Sequence, residues 1–165
     1  GLHIKGGNGS GKSTLLRIIL GLTSPSKGEV EYCKPNLQIS YLGHKNAIKH
    51  YLTPMQNLEL IFTSSALSEA IKWIHILGLN KVQDELTANL SFGQQKKLAL
   101  IRIFASESDL IILDEPFVGL DDASRDLLNG FLQKQLASDA SLILTSHIEP
   151  NILCSELVLS GDTDD

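Results

Sequence analysis

A chain of 165 residues with 42% hydrophobic and 20% charged side chains can bury one sizeable core, and its composition excludes a disordered or low-complexity protein. Its net charge of −5 lacks the basic excess of a duplex-binding surface, so no nucleic acid is expected as a partner. No apolar run reaches the ~20 residues needed to cross a bilayer, and the N-terminus has no charged-then-apolar secretory pattern.

Leu2 to Lys5 is a short apolar stretch. It leads into Gly6-Gly7-Asn8-Gly9-Ser10-Gly11-Lys12-Ser13-Thr14, which matches G-x-x-x-x-G-K-[ST] with Gly6, Gly11, Lys12 and Ser13 on the fixed positions. Glycines admit positive φ, so the N–H groups of such a loop turn inward around a polyphosphate, at the positive end of the helix that follows. Lys12 is placed to reach the β- and γ-phosphates of ATP, and Ser13 to ligate Mg²⁺. Leu15 to Leu20 reads as that helix, stopped by Gly21. Strands that feed phosphate loops usually have about five or six residues and neighbours beside them, so strands preceding Gly1 are expected to be missing.

Leu22 to Gly28 collects turn formers, after which Glu29 to Cys33 alternates like a strand and Leu37 to Leu42 reads as another, closing at Gly43-His44. Thr53-Pro54-Met55-Gln56 has a cap residue, a first-turn proline and a glutamine three after the cap, so a helix should start near Pro54. Leu67, Ala70, Ile71, Ile74 and Leu77 recur at helical spacing, predicting a helix over Ala66 to Leu77 with Trp73 as a packing residue. Ser91 with Gln94 forms a second capping box, and Lys96 to Phe104 continues it. The region from about 53 to 105 therefore reads as a helical subdomain inserted in a strand-rich core. Cys33 and Cys154 are far apart and outside any metal-ligand spacing, which predicts two reduced, buried thiols.

Leu110 to Leu113 is all apolar, typical of a parallel strand covered on both faces, and runs into Asp114-Glu115-Pro116. Asp121 to Leu136 reads as a helix, Ser141 to Thr145 as a buried strand ending at Ser146-His147, and Glu156 to Leu159 as the last strand. Alternating strands and helices with the chemistry at strand ends describe an open, mainly parallel α/β sheet with a ligand crevice beyond its carboxyl edge. Beside a phosphate loop, Asp114 is placed to organise Mg²⁺ and Glu115 to orient or deprotonate the attacking water. Without Lys12 in the chain, the same two acids would read as a solvated turn.

The order of these segments resembles the ATP-binding subunits of ABC transporters over nearly the whole chain. Gly6 to Thr14 looks like the Walker A loop, Leu90 to Gln94 like the LSGGQ signature with Phe92 in place of its first glycine, and Leu110 to Glu115 like Walker B. Gly119-Leu120-Asp121 looks like the D-loop, and His147 like the switch histidine. The resemblance implies one P-loop ATPase domain over 1–165 that forms a head-to-tail homodimer with two ATP molecules at its interface. One copy's Walker loop and the other's Ser91, Gly93 and Gln94 would hold each nucleotide, Asp121 would contribute at the interface, and Glu115, His147 and Lys12 would carry catalysis. Ser91 and Gly93 suit that role because free N–H groups at a helix start favour a phosphate. Integral membrane permease subunits are the implied partners, with the chain peripheral on the cytoplasmic side of the inner membrane.

His44 stands where the family carries the glutamine of its Q-loop. An imidazole keeps the hydrogen bonding and titrates near neutrality, so pH sensitivity is expected there, against the plainer reading of a structural histidine. The aromatic on which the family stacks adenine would lie before Gly1. Tyr41-Leu42-Gly43-His44, Leu52-Thr53, Asn57-Leu58, Leu90 to Lys97 and Leu113 to Phe117 look like the heme-exporter ATPase of cytochrome c maturation. No direct heme contact is expected, because His3, His44, His50, His75 and His147 form no ligand pair; heme handling would belong to membrane partners. An ATPase of another ABC transporter, or a soluble ABC-type ATPase acting on nucleic acid or ribosomes, stands as the alternative. An ATP-binding regulatory subunit is disfavoured by Glu115 and His147. A GTPase would need N-K-x-D, which Asn80-Lys81-Val82-Gln83-Asp84 misses by one residue.

Overall fold

Strand β3 (Leu110–Asp114) is buried along its whole length, as its unbroken apolar run requires, and the rest of the sheet is laid out beside it. The computed structural model describes residues 1–160; the last five residues of the expected domain lie outside the described residues. β2 (Ile39–Leu42), β4 (Ser141–Thr145), β1 (Leu2–Lys5) and β5 (Ser155–Val158) complete a sheet of order β2-β3-β4-β1-β5. Every pairing is parallel. All carboxyl ends therefore emerge on one edge. In register, Asp114 lies opposite Thr145 and Ile4, one residue before the end of β1, opposite that same threonine.

Side chains of β3 alternate between the two faces as strand geometry demands. Leu110 and Ile112 pack with Leu16 of α1 (Lys12–Ile19). Ile111 and Leu113 join the larger core built by α4 (Phe92–Phe104) and α5 (Asp122–Ala137). Leu98, Leu100, Ile101 and Ile103 are all at most 1% exposed, and each such side chain contributes about 1.5–3 kcal/mol by leaving water.

The region from 53 to 105 holds α2 (Pro54–Glu59), α3 (Ser64–Ile76), a short 3₁₀ turn and α4. α2 starts as expected: Gln56 N–H donates to Thr53 Oγ1 and Thr53 N–H donates to Gln56 Oε1. Asn57, buried, donates from Nδ2 to the carbonyls of Lys49 and Thr53 and to Thr87 Oγ1, tying α2 to the loop before it and to the 3₁₀ turn that follows α3. Trp73 is a packing residue, stacked on Phe104 at 4.3 Å and edge-on to Phe131 at 6.2 Å.

The structure corrects two expectations. Glu29 to Cys33 forms no strand: the stretch pairs with neither β2 nor any other strand of the sheet and crosses the surface as a connection. Cys33 is exposed for that reason and Cys154 is half-buried, so the thiols are free as expected but not both buried. Burial still raises the Cys154 thiol above its ordinary pKa.

Candidate functional site

The loop between β1 and α1 is held by its glycines. Gly6, Gly9 and Gly11 all have positive φ, and at Gly6 the requirement is also steric, since a Cβ there would stand 2.4 Å from Ser10 Oγ and 2.7 Å from the Leu159 carbonyl. Lys12 Nζ donates to the carbonyls of Gly6 at 2.6 Å and Gly7 at 2.8 Å, arching back over the loop it follows. Ser10 Oγ is buried without a partner, so the loop carries a hydroxyl whose hydrogen bond is unmade.

The opposite wall comes from the ends of β3 and β4. Asp114, 3% exposed, accepts from Ser13 Oγ at 2.7 Å through Oδ2 and from Thr145 Oγ1 at 2.7 Å through Oδ1. The Ser13 hydroxyl and the Asp114 carboxylate are hard oxygen donors in contact between a phosphate loop and a strand end, a set that fits Mg²⁺. Glu115 has φ 50°, a left-handed conformation that costs a non-glycine residue energy and collects at functional sites. Thr145 holds it there, since Glu115 N–H donates to both the Thr145 carbonyl and its Oγ1.

His147 N–H donates to Glu115 Oε2 at 3.1 Å, and His147 Nε2 lies 3.6 Å from Glu115 Oε1. Glu115 Oε1 is buried without a hydrogen bond, a free acceptor inside the cleft. The cleft measures about 470 Å³ and is lined by residues 8–14, His44, Asp114, Glu115, Val118 and His147, within the range of small-molecule sites.

The structure thus brings together Asn8, Gly9, Ser10, Gly11, Lys12, Ser13, Thr14, His44, Asp114, Glu115 and His147, with Gly6 at the base of the loop. Ser91, Gly93, Gln94 and Asp121 do not line this cleft. Ser91 and Gln94 close the second capping box at the start of α4, and Asp121 caps α5 through Ser124 N–H while pairing with Lys97 at 2.6 Å. That pair and the cap hold the Asp121 carboxyl well below the usual carboxylate range.

Two residues escaped the sequence reading. Thr145 is the buried hydroxyl shared by both acids, and only its place at a strand end marked it. Lys96, 2% exposed in α4, has its ammonium pushed below the ordinary lysine pKa by burial, with Asp114 and Glu115 pulling the other way. Its place inside a capped helix gave no signal of either.

A phosphate loop, two acids at the end of the neighbouring strand, a histidine at the next, and a capped Ser-x-Gly-Gln helix start define a P-loop nucleotide hydrolase of the ATP-binding-cassette class. A family described as ABC transporter matches residues 2–118, and the chain belongs to that family; it is an ATPase. It is 38% identical to the "Cytochrome c biogenesis ATP-binding export protein CcmA" of Idiomarina loihiensis, over 98% of this chain and 76% of that one. It is 36% identical to the Rickettsia felis protein of the same name, over 94% and 84%. The solved "Structure of ATP binding subunit of ABC transporter" superposes with a TM-score of 0.85 at 25% identity, covering 97% of this chain and 74% of that one.

Proposed function

We propose that two copies of this chain hydrolyse ATP between them to drive the export step of cytochrome c maturation, with heme as the cargo of the membrane subunits they serve. The observation that carries the reading is the contact of Ser13 Oγ with Asp114 Oδ2 at 2.7 Å, with the free Glu115 oxygen beside it. The inward N–H groups of 6–14 and Lys12 bind the triphosphate, and Lys12 exchanges its loop carbonyls for phosphate oxygens. Ser13 and Asp114 would hold Mg²⁺, which supplies charge neutralisation at the phosphates when bound. Glu115 orients the attacking water and accepts its proton, and His147 reaches the same oxygen of Glu115 and steadies the transferred phosphoryl group.

Ser91 and Gly93 sit outside their own chain's cleft, at a helix start whose N–H groups suit an anion. They close over the nucleotide of a second copy in this reading, with Gln94 and Asp121 at the same interface, so ATP binding and dimerisation are linked. The names of the relatives support an export complex in cytochrome c biogenesis. No helix among the described residues is long and apolar enough to cross a membrane, and the chain is read as peripheral, on the cytoplasmic side of the inner membrane against integral permease subunits. His44 lines the cleft just after β2 and in this reading links the nucleotide to the permease subunits.

The test is ATP turnover and mass of the purified protein with MgATP, followed by identification of proteins that co-purify from membranes. Turnover with an ATP-dependent dimer and cytochrome c maturation components supports the reading. A monomer without turnover removes the catalytic part, and ribosomes or DNA in place of membrane proteins remove the transport part.

A further inference from the structure

Phe92 stands in the signature stretch where a glycine was expected, and its ring has a defined seat. A Cβ built on Gly119 would stand 2.3 Å from Phe92 Cε1 and 2.5 Å from Cδ1, so the ring edge occupies the space above Gly119. A φ of 81° at the same residue favours glycine there, and a side chain at 119 would displace the ring. From the other side a Cβ on Gly93 would come within 2.7 Å of the Gly119 carbonyl. One turn further along α4, Lys97 Nζ lies 2.6 Å from Asp121 Oδ2. Segment 119–121 is therefore fastened to the start of α4 by a ring, a backbone approach and an ion pair.

The ring does not earn its place by burial, for Phe92 is 58% exposed. What it spans is more informative. The segment that it grips begins at Glu115 in the cleft and ends at Asp121, the cap of α5. Phe117 and Leu120 within it are buried at 1% and 3% exposure, and a short, packed segment transmits a displacement at one end to the other.

We propose, on the reading of this chain as half of an ATP-bound dimer, that Phe92 is a positioning residue for hydrolysis. Its ring makes Gly119 follow the start of α4, so that a nucleotide of the second copy, engaged at Ser91 and Gly93, sets Glu115 in the chain that donates the helix. Each site then reports its occupancy to the other, and the observable is cooperativity.

The experiment measures ATPase rate against ATP concentration for the purified protein and for Phe92→Ala, Phe92→Leu and Phe92→Tyr. Phe92→Ala is expected to lower kcat about 5-fold and bring a Hill coefficient of about 2 down to about 1, with nucleotide affinity within about 2-fold of the parent. Phe92→Tyr, which keeps the flat ring, restores both. Phe92→Leu, lacking a ring edge, loses cooperativity as Phe92→Ala does and gives the readout should the alanine variant not fold. Parental kcat and Hill coefficient in the alanine or leucine variant, a tyrosine variant as impaired as alanine, or a parent with normal turnover and a Hill coefficient of about 1 overturns the proposal alone. A parent with no turnover or no dimer overturns the dimer reading, and this proposal with it, before any variant is measured.

Discussion

On one side of the cleft, residues 6–13 offer mostly main chain, shaped by glycines and largely open to solvent, with Lys12 bound to the loop's own carbonyls. On the other side Asp114 and Thr145 are buried at 3% and 0% exposure, both Asp114 oxygens and the Thr145 hydroxyl are hydrogen-bonded, and Glu115 is held in a left-handed conformation. Main-chain donors suit a ligand that brings its own charge and leaves after each cycle. A buried carboxylate bonded through both oxygens, as Asp114 is, suits a group whose position must not change between cycles.

If that division is right, the largest effect comes from the strained acid. Glu115→Gln should lower kcat about 10²–10³-fold with ATP binding retained, read as single-turnover rate beside nucleotide affinity, and an ATP-bound dimer should accumulate. Lys12→Ala attacks the open wall and should weaken ATP binding about 100-fold with little change in melting temperature. Unchanged affinity in a titration would erase the contrast.

Thr145→Val sharpens it further, because the isosteric change strips one donor from Asp114 and one acceptor from Glu115 N–H. It should cost about 1–3 kcal/mol of stability and lower kcat, whereas the open wall shows no such joint loss. Denaturant unfolding together with turnover checks this.

The smallest effect lies outside the cleft. The Asp121 carboxyl titrates far below its unfolded value because of Lys97 and the Ser124 cap, so its stabilisation is present above the ordinary carboxylate range and is lost as pH falls through the depressed native value. The pair is more than half exposed on the aspartate side, so Asp121→Asn, which keeps a capping oxygen, should cost only about 0.5 kcal/mol near neutral pH. The deficit should vanish in acid, as denaturation midpoints across pH would show.

Elements with strong local grammar are legible in the sequence itself. The capping boxes at Thr53 and Ser91 placed α2 and α4, and the run over 110–113 placed β3, since caps and unbroken apolar strands carry their own signals. Glu29 to Cys33 alternates without forming a strand, because alternation describes a half-buried face while a strand also needs a partner in register, and none pairs with this stretch. The phosphate loop and the acids were readable because spacing dictates the chemistry. Thr145 and Lys96 were not, since what makes them matter is the register that sets β4 beside β3 and the packing of α4 beneath both. Gly93 was read for its phosphate-facing role alone, and its approach to Gly119 gives it a second, internal reason to lack a side chain.

Trp73 stacks on Phe104, and Phe131 meets both rings edge-on, so α3, α4 and α5 converge on one indole. It is also the chain's single tryptophan. Its emission is thus a built-in optical gauge at the joint of the inserted helices α3 and α4 with α5, readable without any attached dye. A spectral shift on adding nucleotide would report any change in how α3 and α4 pack on α5.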